Sequence, residues 1–293
     1  MLLGMLAAAG ASCGWATGMM LAHAPARQLG AFEFTRIQLL ASGFAMGLLA
    51  AFLGYWPSVT WEEWPAFLIS ILLGVILGNL AMVECLRRCG PRKTELVISL
   101  KAPLVALMAF LWFGETLALP DLAGGAVVLV GISLAVMSGQ SRTERAPGGN
   151  VGAVLFFGGL AAASQGIGFL ALKPAMLAGS EPVALSAVRL LGAALVISLV
   201  ALWPTATAKA SVTLTTVLLI RTVIPGLIGY GVSTSLLLYA FAHTEAGIAA
   251  VLGSLSPILI LPMTWVAEGR RPSPQACIGA LLSVLGSAII VLW

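Results

Sequence analysis

The sequence predicts an all-α polytopic membrane protein, with ten transmembrane helices arranged as two inverted five-helix repeats. Three observations support this fold: an apolar composition, ten long apolar runs, and a motif that occurs twice. Hydrophobic residues make up 60% of the 293 residues and charged residues 9%, whereas soluble domains contain about 45–50% apolar and about 25% charged residues. Such a chain cannot cover itself with polar surface, so we expect lipid to surround it.

Ten segments are long and apolar enough to cross a bilayer. A spanning helix needs about 20 mainly apolar residues, because the hydrocarbon core is about 30 Å thick. The predicted spans cover approximately residues 3–22, 32–54, 65–86, 95–113, 120–139, 151–172, 182–203, 216–241, 246–266 and 275–292. No Lys or Arg precedes the first run, so we interpret it as a retained helix rather than a signal peptide.

The distribution of Lys and Arg predicts the orientation. Ten of them lie in connections on one side of the membrane: Arg27, Arg87, Arg88, Arg92, Lys93, Arg142, Arg145, Lys209, Arg270 and Arg271. The opposite side holds only Lys173. The positive-inside rule places the ten on the cytoplasmic side. With an even number of spans, both termini are expected to be extracytoplasmic, in a multi-pass protein of the cell inner (plasma) membrane.

The two halves of the chain share a motif. Pro103 precedes an apolar run that ends at Glu115, and Pro257 precedes a run that ends at Glu268. In both halves a proline and a glycine-containing apolar segment follow. Five spans per half is an odd number, so the halves must enter the membrane from opposite sides, which is the inverted repeat of many transporters. The predicted units are a first repeat 1–139, a cytoplasmic linker 140–150 and a second repeat 151–293.

This proline–apolar–glutamate–proline–glycine pattern, present twice, resembles the EamA family of the drug/metabolite transporter superfamily. Within that family the chain is similar to the YddG-type exporters of aromatic amino acids. The resemblance implies a secondary transporter that exports small organic metabolites, above all aromatic and neutral amino acids, by alternating access through a central cavity. Export of other metabolites or drugs is the alternative within the superfamily. A channel and an intramembrane enzyme are the alternatives from other classes.

Several missing patterns argue against the enzyme. The sequence contains no HExxH, and Asp121 is the only aspartate, so two aspartates cannot form a dyad. The four cysteines form no CxxC pair and the two histidines stand far apart, which argues against zinc. We therefore expect no enzyme activity, metal, cofactor or nucleic-acid partner. The expected partners are a small-molecule substrate and membrane lipid, and the expected functional unit is a monomer.

Lys101 is the leading candidate for contact with a substrate. It lies about six residues inside the predicted fourth span, roughly 9 Å from the end of that span at 1.5 Å per residue. A cation there is unfavourable unless it faces a cavity or a partner, or extends to the headgroups. Lys101 therefore either contacts a substrate carboxylate or anchors the helix at the interface.

Other polar and aromatic residues inside apolar spans are candidates for the wall of the cavity. They are Ser12, Trp15, Asn79, Ser164, Gln165, Tyr230 and Tyr239. Polar groups within a span need hydrogen bonds in the bundle, and aromatic rings suit a flat substrate by stacking. Ordinary packing between helices is the alternative for each of them.

Candidate gating residues occupy matching positions in the two halves. Arg36 and Arg189 lie early in the second and seventh spans, where they either close gates or anchor at the interface. Pro103 and Pro257 bend the fourth and ninth spans, as hinges or as static bends. No acidic residue is expected clearly at mid-membrane, which leaves proton coupling open; those near span ends are Glu33, Glu84, Glu95, Glu115, Glu245 and Glu268.

Overall fold

The computed structural model describes residues 2–101, 104, 107, 108, 111, 119–137, 151–202, 213–243, 252, 253, 255–269 and 271–292. All regular elements within these residues are helical, which confirms the predicted all-α class. In chain order they run Leu2–Phe52, Trp56–Ser58, Trp61–Glu63, Trp64–Ile69, Ser70–Leu77, Gly78–Cys89, Pro91–Ile98, Leu119–Met137, Val151–Leu170, Lys173–Leu177, Pro182–Ala201, Thr216–Gly226, Leu227–Ser233, Thr234–His243, Ser256–Glu268 and Pro274–Leu292.

Five helices in the described part of the chain are long and apolar enough to cross a membrane. They are Leu2–Phe52, Trp61–Cys89, Val151–Met176, Pro182–Ala201 and Thr216–Leu237. Shorter apolar helices cover Leu122–Leu134, Ser256–Ala267 and Pro274–Ile289. The chain is therefore a multi-pass membrane protein. The count of ten spans stays a prediction, because the fourth and ninth predicted spans lie partly outside the described residues.

The helix Leu2–Phe52 is interrupted at Gly30. This glycine has φ 78° and ψ 163°, a backbone conformation that only glycine adopts readily. It divides the helix into the arms 2–29 and 31–52, which correspond to the first two predicted spans. An unbroken helix of 51 residues would measure about 77 Å at 1.5 Å per residue, more than twice the thickness of the hydrocarbon core. The break at Gly30 allows the arms to be separate crossings.

The third and eighth predicted spans each contain a π-helical segment, Ser70–Leu77 and Leu227–Ser233. At the end of the second segment, the hydroxyls of Ser233 and of the next residue, Thr234, donate to carbonyls five residues earlier, at 2.9 and 3.2 Å. Both hydrogen bonds thus join residues five apart, which is the spacing of the backbone hydrogen bonds of a π-helix. π-Helical turns occur frequently at functional sites, and both segments line the cavity described below.

The last helix of each predicted half packs against the other through glycines. A Cβ atom added at Gly131 would lie 2.7 Å from the carbonyl oxygen of Gly279, and one added at Gly286 would lie 2.6 Å from that of Gly124. Because the higher-numbered glycine of one helix faces the lower-numbered glycine of the other, the helices run antiparallel. An inverted repeat requires this direction of equivalent helices. We call this contact the glycine seam.

The helix Pro182–Ala201 is held by apolar packing against the arm 31–52 and the segment Ser70–Leu77. The buried side chains of this cluster include Leu39, Met46, Ile71, Leu190 and Ile197. A Cβ atom added at Gly43 would lie 3.1 Å from the backbone of Leu190, so the arm and the helix approach closely. This packing fixes the face of Pro182–Ala201 that carries the polar residues of the cavity.

Candidate substrate cavity

A cavity of about 300 Å³ lies between the helices, at the lower end of the range of about 300–1,000 Å³ that small-molecule sites occupy. Its wall includes residues of the arm 2–29, of both π-helical segments, and of the helices Pro91–Ile98 and Pro182–Ala201. Residues from both predicted halves therefore face one space.

Most of the residues singled out in the sequence lie around this cavity. They are Trp15, Asn79, Lys101, Gln165, Arg189, Tyr230 and Pro257. Asn79 is 5% exposed, and the Nε2 atom of Gln165 donates a weak hydrogen bond to the Met82 sulfur at 3.5 Å. Polar groups that are rare within apolar spans thus converge on a single site.

Two cations meet at one aromatic ring on the wall of the cavity. The Nζ atom of Lys101 lies 5.5 Å from the centroid of the Phe169 ring, and the Cζ atom of Arg189 lies 4.6 Å from it. A cation over an aromatic face is stabilised by the ring quadrupole. The Nε atom of Arg189 is buried and has no hydrogen-bond partner among the described residues. We call Lys101, Phe169 and Arg189 the cationic cluster.

Close helix packing makes room for this cluster. A Cβ atom added at Gly74 would lie 2.6 Å from the Cα atom of Gly168 and 3.4 Å from a terminal nitrogen of Arg189. Any side chain at residue 74 would push the two backbones apart. The glycine pair therefore allows the two helices to approach closely beside Arg189.

An aromatic pair forms another part of the wall. The Trp15 and Tyr230 rings meet edge to face, with centroids 6.1 Å apart and an interplanar angle of 88°. A Cβ atom added at Gly229 would lie 3.1 Å from the Trp15 ring, so this glycine accommodates the indole. Edge-to-face pairs are favourable and present both a ring face and a ring edge to neighbouring groups.

Comparison with known proteins decides the family. A model of the EamA-like transporter family matches residues 2–137 and 152–292. The chain belongs to this family. Members of the EamA-like family are membrane transporters of small substrates rather than enzymes, so this membership supports the transporter class predicted from the sequence.

A solved structure shares the fold of this EamA-like transporter. It is titled "Crystal structure of protein" and superposes with a TM-score of 0.68 over 99% of this chain and 96% of the other, at 20% sequence identity. At this identity the likeness shows the fold alone. Comparison with curated proteins gave no match.

Several predicted residues of the EamA-like transporter lie away from the cavity. The Ser12 hydroxyl is fully buried and donates to the Leu252 carbonyl at 2.7 Å, so it joins helices instead. Ser164 is buried among the helices and Tyr239 is 42% exposed on the outer surface. Arg36 pairs with Glu33 at 2.6 Å. Pro103 lies outside the described residues.

Glu95 is the main residue of this cavity that the sequence interpretation missed. It was expected near a span end, but it is 7% exposed and lines the cavity. Gly90, with φ 83°, precedes the short helix Pro91–Ile98, and that helix carries Glu95 inward. No described ion pair or side-chain hydrogen bond involves the Glu95 carboxylate.

Phe169 was also missed, although a signal for it was present. It lies four residues after Gln165, on the same face of the helix Val151–Leu170. Met19, four residues after Trp15, and Met82, three residues after Asn79, follow the same rule and also line the cavity.

Among the described residues, no group of three or more His, Cys, Asp or Glu side chains is arranged to hold a metal ion.

Proposed function

We propose that this transporter exports amino acids, above all aromatic and other neutral ones, across the cell inner (plasma) membrane by alternating access. The observation that carries the proposal is the presence of the cationic cluster and the Trp15–Tyr230 pair in one cavity. A carboxylate that leaves water is destabilised by several kcal/mol unless a cation compensates it. Lys101 and Arg189 supply such cations, while the rings accept an apolar side chain.

The assignment of Lys101 is testable by substitution. We expect Lys101→Met to keep the fold and to weaken transport of free amino acids about 10–100-fold, because a charge-assisted contact is lost. Esterified amino acids, which lack the carboxylate, should be less affected. Uptake of radiolabelled amino acids into proteoliposomes, competed by a panel of analogues, measures both effects.

Two control variants separate recognition from anchoring. Lys101→Arg keeps the charge and should retain most of the transport. Arg221→Met removes an exposed cation of the helix Thr216–Gly226 that does not line the cavity, so it should leave affinity unchanged. If Lys101→Met transports free amino acids with wild-type affinity and rate, the lysine only anchors the helix, and the carboxylate is held elsewhere.

The kinetics of transport in the same proteoliposomes distinguish a carrier from a channel. Alternating access predicts saturable transport that is stimulated by substrate on the opposite side. Transport that never saturates and shows no such stimulation would favour a channel. We propose a monomer as the functional unit, since one chain encloses the cavity and both predicted halves contribute to it.

The proposed orientation places both termini outside the cytoplasm. It rests on the asymmetric distribution of Lys and Arg. Single cysteines at Ser58 and Gln140, introduced after replacement of the four native cysteines, test it in intact cells. We expect an impermeant thiol reagent to label position 58 and to spare position 140. The reverse pattern would invert the topology.

A further inference from the structure

The Glu95 carboxyl group is buried and forms no ion pair or side-chain hydrogen bond within the described part of the chain. Its residue is 7% exposed and lines the cavity. The three described ion pairs use Glu33 and Glu84 instead, and none involves Glu95. A buried carboxylate is unfavourable without a compensating charge or hydrogen bond. Charged groups inside a membrane protein that face a cavity are therefore candidates for contact with a ligand.

The wall of one cavity carries ionisable groups of both signs. Glu95, Lys101 and Arg189 all line it. The two cations also share the Phe169 ring. The wall of the cavity therefore carries both the cationic cluster and an acidic group, Glu95.

We propose that Glu95 binds the ammonium group of the substrate while the cationic cluster binds its carboxylate, so that the cavity selects zwitterions. This inference rests on the proposed function, which it narrows to molecules that carry both charges. In an α-amino acid the ammonium and the carboxylate are attached to the same carbon atom, so both must be met within a short distance. A single cavity of about 300 Å³ with Glu95, Lys101 and Arg189 on its wall provides that arrangement.

Simple acids and simple amines fit this cavity less well. A carboxylic acid without an amine leaves Glu95 unpaired, and an amine without a carboxylate leaves Lys101 and Arg189 unpaired. A site with polar groups placed for two substrate groups rejects an analogue that lacks one of them, because its own groups then stay desolvated and unpaired. Glu95 would thus determine specificity through the substrate amine.

The experiment compares three ligands that share one ring: L-phenylalanine, 3-phenylpropionate, which lacks the amine, and phenethylamine, which lacks the carboxylate. Affinity is measured by competition binding on the purified full-length protein. We expect the wild-type protein to bind each analogue at least about 10-fold more weakly than phenylalanine. Equal affinity for phenylalanine and 3-phenylpropionate in the wild-type protein would overturn the proposal, and this comparison requires no variant.

Glu95→Gln should abolish this discrimination. Its affinity for phenylalanine should fall about 10–100-fold, while its affinity for 3-phenylpropionate should stay the same or rise, since a repulsive charge is removed. Glu62→Gln, at an exposed residue outside the cavity, is the matched control and should change neither. If Glu95→Gln weakens phenylalanine and 3-phenylpropionate equally, Glu95 is structural or only carries a proton, and the inference is wrong.

The outcomes separate the inference from the proposed function. If the wild-type protein transports none of the amino acids, both are wrong. If it transports them but fails either of the two comparisons above, only the role of Glu95 is wrong.

Discussion

Two arginines at matching positions of the predicted repeat have opposite environments. The Nε and Nη2 atoms of Arg36 donate to both carboxylate oxygens of Glu33, at 2.8 and 2.6 Å. Arg189 stacks over Phe169, faces the cavity, and has no hydrogen-bond partner for its Nε atom among the described residues. The Arg36 guanidinium is paired with a carboxylate of its own helix, whereas the Arg189 guanidinium faces the cavity, where it is available to a ligand.

The difference comes from the residue three positions earlier. Glu33 precedes Arg36 by three residues, and side chains at that spacing are neighbours on a helix. The corresponding neighbour of Arg189 is Ser186, which carries no charge and also lines the cavity. A repeat can therefore preserve the position of a cation while a single neighbouring residue decides whether that cation is structural or free to bind.

The largest expected effect follows from removing each arginine. Arg189→Met should lower amino-acid transport about 100-fold, because the cation that faces the substrate is lost. Arg36→Met should lower it much less, since that guanidinium is already paired with Glu33. Uptake at equal amounts of protein in the liposomes measures both. Equal losses for the two variants would show that the arginines act alike, as a pair of gates.

A smaller effect is expected when the second half is made to resemble the first. Ser186→Glu gives Arg189 a carboxylate at the spacing of Glu33, and transport should fall about 10-fold as the guanidinium is occupied. Ser186→Gln adds similar volume without charge and is the control. Should the glutamine variant lose as much transport as the glutamate variant, the loss is steric and the comparison of partners fails.

The smallest effect on transport is expected at Arg36, the arginine that is paired with Glu33. Glu33→Gln leaves Arg36 without its ion pair, so the melting temperature should fall, by about 2–4 °C. Substrate affinity should stay near that of the wild-type protein, because neither residue lines the cavity. Thermal unfolding and competition binding on the same sample check this. A large change in affinity with no change in stability would assign Arg36 a part in gating.

Much of the cavity was predictable because polar residues are unusual in apolar spans. Asn79 and Gln165 were predicted for that reason, and both line the cavity. Tyr230 and Tyr239 looked equivalent by the same criterion, yet they are nine residues apart. Tyr230 belongs to the π-helical segment and lines the cavity, whereas Tyr239 lies on the α-helix that follows and is 42% exposed.

Glu95 shows what the sequence could not reveal. A charge at the edge of an apolar run is compatible with a span end, and composition does not tell which way the next helix turns. The direction depends on the turn at Gly90 and on the short helix Pro91–Ile98, which is a matter of tertiary packing. Similarly, the hydroxyl of Ser12 has a carbonyl partner from a distant part of the chain, and no local pattern indicates it.

The glycine seam consists of two contacts, Gly131 with Gly279 and Gly286 with Gly124, and both limit the distance between the same two helices. A methyl group at Gly131 or at Gly286 would wedge the same pair of helices apart. Once the axes have separated for the first methyl group, the second finds space already open, so the two substitutions are non-additive. The first replacement in the seam is thus the least tolerated one, and the two glycine contacts are expected to loosen together.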